Sequence, residues 1–151
     1  MINTDILNEL IKGWTAPNTS TLFFKKESFL NIGGFDDKLK SCQDHDLWFR
    51  VAIEGFNTDF VGEPLSCFVL DSSDRISYNL KNRMNGVNCF LHKAKSYIPN
   101  DHLLFFKVQY VCDVCLPIFI KAIKENNFLN AFIIYIRYLV LNRYFYKRVF
   151  E

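Results

Sequence analysis

The patterning of the chain changes at Ser77, and that change limits its possible folds more than any other feature. Before it, Gly13, Pro17, Gly33, Gly34, Gly55, Gly62 and Pro64 cut the sequence into short pieces. After it, Tyr78 to Tyr97, Asp101 to Glu125 and Phe128 to Phe150 carry helical patterning, separated by Pro99-Asn100 and Glu125-Asn126-Asn127. Pro117 is expected to kink or break the second run, because it lacks an amide hydrogen and its ring crowds the preceding turn. Residues 1–77 therefore read as a mixed front part and residues 78–151 as a helical region.

The front pieces alternate in type. Ile6, Leu7, Leu10 and Ile11 have helical spacing within Asp5 to Lys12, with Thr4 or Asp5 as cap and Gly13 as stop. Ser20 to Lys25 is aromatic and β-branched between turn formers, which predicts a strand. Glu27 to Ile32 predicts a helix stopped by Gly33 and Gly34, and Phe35 to Gln43 a loop with a helical turn. Asp46 to Glu54 predicts a helix, with Leu47, Val51 and either Trp48 or Ala52 on one face and Gly55 past its end. Phe56 to Leu70 reads as strand, turn and strand around Glu63-Pro64. The expected class is α/β, or α+β for a fragment, with a few short strands ahead of a helical tail.

At 151 residues, half of them hydrophobic and with 16 Phe and 7 Tyr, the chain can fill a core without disulfides. The net charge of +2 is scattered, so charge makes no case for nucleic acid. Five cysteines without framework spacing, and no secretory signal pattern at the amino terminus, point to a reducing, cytoplasmic setting. The apolar run Phe128 to Leu141 is interrupted by Arg137 and falls short of the roughly 20 residues of a membrane span. It reads either as a core helix or as a helix lying on a membrane surface. Arg137, Arg143, Lys147 and Arg148, interleaved with Tyr138, Tyr144, Phe145 and Tyr146, read first as ordinary snorkelling cations on a packed helix, with a membrane-surface or lipid-phosphate contact as the other reading.

Chemistry concentrates in Ile32-Gly33-Gly34-Phe35-Asp36-Asp37 and Gln43-Asp44-His45-Asp46-Leu47-Trp48-Phe49-Arg50. Adjacent glycines permit positive φ and close backbone approach, and carboxylates at a helix start are stabilised as anions. Asp46 and Arg50, four apart, can pair on one helix face. Asp44 at the helix start is either a cap or a carboxylate with chemistry to do. Cys112 and Cys115 have redox-motif spacing but lie in a helical run and read as core. His92 and His102 lack carboxylate partners at metal-site spacing.

These motifs, with Leu22-Phe23-Phe24-Lys25-Lys26 before them and Phe60-Val61-Gly62-Glu63-Pro64-Leu65 and Arg75-Ile76-Ser77 after them, resemble the carboxyl-terminal half of a family 2, GT-A-type glycosyltransferase. The resemblance covers about Thr15 to Ser77. It implies inverting transfer of a sugar from a nucleotide-sugar donor to a glycan or lipid-linked acceptor. Asp44 would be the base that takes the acceptor proton. Gly33, Gly34, Asp36 and His45 would line the acceptor site, and Asp46, Trp48 and Arg50 would support the motif. Gln43 stands where many relatives have Glu.

Asp71 takes the place where relatives often have a metal-binding His. An oxygen ligand there suits Mg²⁺ or Mn²⁺, and a solvated loop acid is the other reading. No D-x-D carboxylate pair precedes the Gly33-Gly34 loop, so the fragment is expected to be inactive alone and to bind no sugar nucleotide. An open strand edge at Leu22 to Phe24 would favour self-association. A non-catalytic helical interaction module is the alternative function.

Overall fold

The computed structural model of the chain describes residues 6–12, 17, 19–67 and 80–139. Among them the structure is helical, with no strand, and this overturns the α/β expectation. Two compact units divide at Pro99 and Asn100.

In the front unit, α1 spans Ile6–Ile11 and α2 spans Lys26–Asn31. The segment predicted as a strand at Ser20 to Lys25 instead begins as a 3-10 turn, Thr19–Thr21, closed by Leu22 N donating to Thr19 O at 3.2 Å. Lys25 is extended, at φ −64° and ψ 129°, but as the N-cap of α2, its carbonyl accepting from Phe29 N at 3.0 Å, and it pairs with no strand among the described residues. Extended conformation becomes sheet only when a second strand supplies backbone partners. The same reason applies to the strand pair expected after Phe56: residues 56–67 form no ladder, and Phe60 N turns to its neighbour's Asp59 Oδ1 at 2.8 Å. Residues 68–70 of that expectation lie outside the described residues, as do the Thr4 or Asp5 cap, the Gly13 stop, Asp71 and Arg75-Ile76-Ser77.

Glycine conformation sets the end of α2. Gly33 and Gly34 stand at φ 81° and 62°, and their amides return to Leu30 O and Phe29 O, which satisfies carbonyls the helix leaves open. Helix α3 spans Gln43–Ile53, three residues earlier at its start than the apolar spacing suggested, with Cys42 as N-cap in the left-handed region at φ 63°. Its inner face buries Leu47, Trp48, Phe49 and Val51, and α1 packs against it through Leu10 and Ile11.

Helix α4, Leu80–Tyr97, closes on α3 through Val87, Phe90 and Ala94, which are completely buried. The approach is close because Gly86 has no side chain: a Cβ there would stand 2.5 Å from Ser41 O and 2.8 Å from Ser41 C. Ser41 Oγ in turn donates to Asn82 O and Arg83 O of α4 at 3.2 and 3.3 Å.

The second unit contains α5 (Asn100–Tyr110), a π-helical stretch at Val111–Cys115, α6 (Leu116–Lys124) and α7 (Phe128–Ile134), which runs on into a π-helical stretch at Tyr135–Leu139. Pro117 does not break the helix. The widened π turn just before it absorbs the missing hydrogen bond and the crowding of its ring, so Asn100–Lys124 is continuous. With a mean hydropathy of 1.8 over its most apolar window, this helix is long and apolar enough to cross a membrane by length and composition, and 39% of that window is buried in the protein itself. Cys112 and Cys115 are core residues of the π stretch, and the five cysteines form no disulfide.

Candidate functional site

The residues singled out by sequence gather at the start of α3, beneath the Gly33-Gly34 turn and beside the end of α4. At their centre is Asp46, with no exposed surface. Its Oδ2 accepts from Arg50 Nε at 2.9 Å and Nη2 at 2.8 Å, one helical turn along. Its Oδ1 accepts from Tyr97 Oη at 2.8 Å and Lys93 Nζ at 2.6 Å, both on α4. Arg50 also reaches back to the glycine turn, donating to Ile32 O through Nη1 and to Gly34 O through Nη2 at 2.7 Å. A buried carboxylate tolerates such a position only when donors of this kind meet its oxygens.

Lys93 carries the arrangement outward. The same Nζ donates to Asp36 Oδ2 at 2.8 Å, and Asp36 Oδ1 accepts the Lys38 amide at 3.0 Å. Two carboxylates and two cations therefore balance within one cluster. The hydrogen bond from Lys93, then that from the Lys38 amide, holds the Asp36 carboxyl below its ordinary 3.8. Burial opposes the charge of Lys93, but Asp36 and Asp46 outweigh it and push the ammonium above its usual range. Burial, reinforced by the Asp46 bond, raises the Tyr97 phenol.

Asp44 sits differently. It is the second residue of α3, so Cys42 and not Asp44 occupies the N-cap position. Its side chain is 24% exposed, and its Oδ1 accepts the His45 amide at 3.0 Å and lies 3.9 Å from His45 Nε2. Its Oδ2 takes no hydrogen bond from the described residues. His45 packs edge-on to Phe90, with ring centroids 5.9 Å apart. Burial lowers the His45 pKa from the ordinary 6.5, against the opposing pull of Asp44.

No family model, curated protein or solved structure matches this chain.

The structure brings Asp36, Asp46 and Arg50 into one bonded network and places Asp44 and His45 next to it at the helix start. Trp48 is 9% exposed and belongs to the core. Gly33 is exposed at the turn, whereas Gly34 is buried, with room beyond its Cα filled by Phe29. Lys93, Tyr97 and Gly86 were not foreseen. Of the three, only Gly86 left a sequence signal, as an isolated glycine in a helical run.

Among the described residues no three His, Cys, Asp or Glu side chains converge as a metal site, and the cation between Asp36 and Asp46 is the Lys93 ammonium. The described residues do not fit a divalent metal.

Proposed function

We propose that this chain supplies the acceptor side of a sugar-transferring enzyme, with Asp44 as general base. The observation that carries the reading is the contrast between two aspartates two residues apart. Asp46 is buried and spends both oxygens on Arg50, Lys93 and Tyr97, while Asp44 is partly exposed and its Oδ2 takes no hydrogen bond from the described residues. A base must come within hydrogen-bond reach of the hydroxyl it deprotonates, and a carboxylate at a helix start held by a rigid cluster meets that need. In the proposed reaction Asp44 takes the proton of the acceptor hydroxyl as that oxygen attacks the anomeric carbon of the donor and the nucleoside diphosphate departs.

The donor, with its Mg²⁺ or Mn²⁺, is held by other residues of the complete enzyme, and this chain alone is inactive. Calorimetry with a panel of UDP- and GDP-sugars should detect no binding to it, and micromolar affinity would place a donor site on this chain after all. We place the enzyme in the cytoplasm at the inner face of a membrane, where a lipid-linked acceptor would present its sugar.

The deciding experiment is Asp44→Asn in the complete enzyme, followed as single-turnover sugar transfer at saturating donor. Asn preserves shape but accepts no proton, so transfer should fall by roughly 10²-fold or more. A near-normal rate would remove Asp44 from the mechanism. It would favour the second reading, a non-catalytic helical interaction module, which the helical build of the described residues and exposed side chains such as Phe23 at 85% also suit. The expected self-association through an open strand edge loses its basis, since Leu22 to Phe24 form no strand.

A further inference from the structure

Two cations bonded to Asp46 reach the same loop at different points. Arg50, on Asp46 Oδ2, donates to Ile32 O and Gly34 O at the glycine turn. Lys93, on Asp46 Oδ1, donates to Asp36 Oδ2 two residues further along. Phe35, between the two points, packs its ring on Phe29 of α2, with centroids 5.4 Å apart. Asp36 passes the restraint on. Its Oδ1 accepts the Lys38 amide at 3.0 Å, and its carbonyl accepts the Leu39 amide at 3.2 Å, just where Leu39 enters the core.

The Lys93 ammonium is itself held in place. Asp46 is completely buried and oriented by Arg50 and Tyr97, and it keeps Lys93 Nζ at 2.6 Å, with the Tyr97 ring centroid 5.9 Å away. The Asp36 end of the bridge keeps some solvent, and an ion pair of that kind adds little to stability. Its effect is geometric: a charge-assisted bond from a fixed donor sets where the loop carboxylate stands. The ammonium also separates two carboxylates that both lie within hydrogen-bond reach of one nitrogen and would otherwise repel.

We propose that Lys93 is a positioning residue, which fixes the Asp36 to Leu39 stretch of the loop against α3 and α4 and thereby shapes the acceptor side of the site. The role at the acceptor rests on the sugar-transfer reading above, in which Asp36 lines the acceptor site. The hold on the loop does not.

Hydrogen exchange followed by NMR on this chain tests the hold. In Lys93→Met the Lys38 and Leu39 amides should exchange roughly tenfold faster or more, while the Gly33 and Gly34 amides, in the part held by Arg50, keep their rates. Asp36→Asn keeps an oxygen for the Lys38 amide but loses the charge that Lys93 holds. It should speed the same two amides, and the double variant should add little to either single one. Lys93→Arg retains a cation able to donate to both carboxylates and should restore most of the protection. Tyr97→Phe removes a bond to Asp46 without touching the loop, so it should lower the urea midpoint and leave Lys38 and Leu39 as they are. Unchanged exchange in Lys93→Met, equal acceleration at Gly33 and Gly34, or acceleration of the same size in Tyr97→Phe would each overturn the proposal.

In the complete enzyme Lys93→Met should raise the acceptor KM roughly tenfold or more with a smaller change in kcat, a split that lost stability alone would not produce. Faster loop exchange with an unchanged acceptor KM would overturn the role at the acceptor. Asp44→Asn should leave loop exchange unaltered, so a failed transfer assay and a failed exchange experiment point to different errors.

Discussion

Asp46 has no contact with water, and side-chain donors from α3 and α4 close on its two oxygens. Removing its charge leaves Arg50 and Lys93 without their common counter-ion. Asp46→Asn should therefore destabilise the front unit by about 3 kcal/mol, the low end for a broken buried pair because Lys93 and Arg50 keep some solvent. Urea unfolding would show the loss as a lower midpoint at unchanged slope. His45 supplies a pH dependence of opposite origin. Its folded pKa lies below the ordinary 6.5 because burial disfavours the charged ring. Below pH 6.5 the unfolded chain binds the proton first, so stability is full above that pH and declines as pH falls toward the folded value. Thermal melts of His45→Gln should lack that component of the decline, and an unchanged profile would assign it to other groups.

Helix α4 meets the loop before α3 at a glycine. In Gly86→Ala the new Cβ would collide with the carbonyl of Ser41, and backbone atoms cannot turn aside as a flexible side chain would. Alanine gains roughly 1 kcal/mol in helix propensity, but overpacking costs about 1–3 kcal/mol, and displacement of α4 would also cost the bonds from Ser41 Oγ to Asn82 O and Arg83 O. The clash should win, with a lower unfolding midpoint. Gly34→Ala should also destabilise, since φ 62° strains any L side chain and Phe29 Cε1 would stand 3.1 Å from the new atom. Gly33→Ala meets no neighbour within 4 Å and isolates the cost of φ 81° alone.

On the scale of the whole molecule the two units should report damage separately. Each has its own buried side chains: Leu47, Val87 and Phe90 in the first, Phe106, Cys115 and Ile134 in the second. Hydrogen exchange on Asp46→Asn should show faster amides across α3 and α4, with protection of Asn100–Lys124 unchanged. Equal loss in both units would mean that they unfold as one.

Short-range chemistry was legible in the sequence. Gly33, Gly34 and Gly55 announced the ends of α2 and α3 because a left-handed residue is needed there and glycine adopts it without strain. The Asp46 and Arg50 pair followed from the helical repeat. The sequence also carried the patterning of Ser20 to Lys25 and of Phe56 to Leu70 that suggests strands, but a strand exists only where another segment satisfies its backbone, and no local pattern supplies that partner. Pro117 distorts its helix into a π stretch without breaking it, since the cost of proline depends on whether the preceding turn can widen. Only the tertiary structure could place Lys93 and Tyr97 over a carboxylate some fifty positions earlier. That juxtaposition depends on α4 packing against α3, with Gly86 letting it close on Ser41 just ahead of that helix, which is a property of packing and not of either sequence segment by itself.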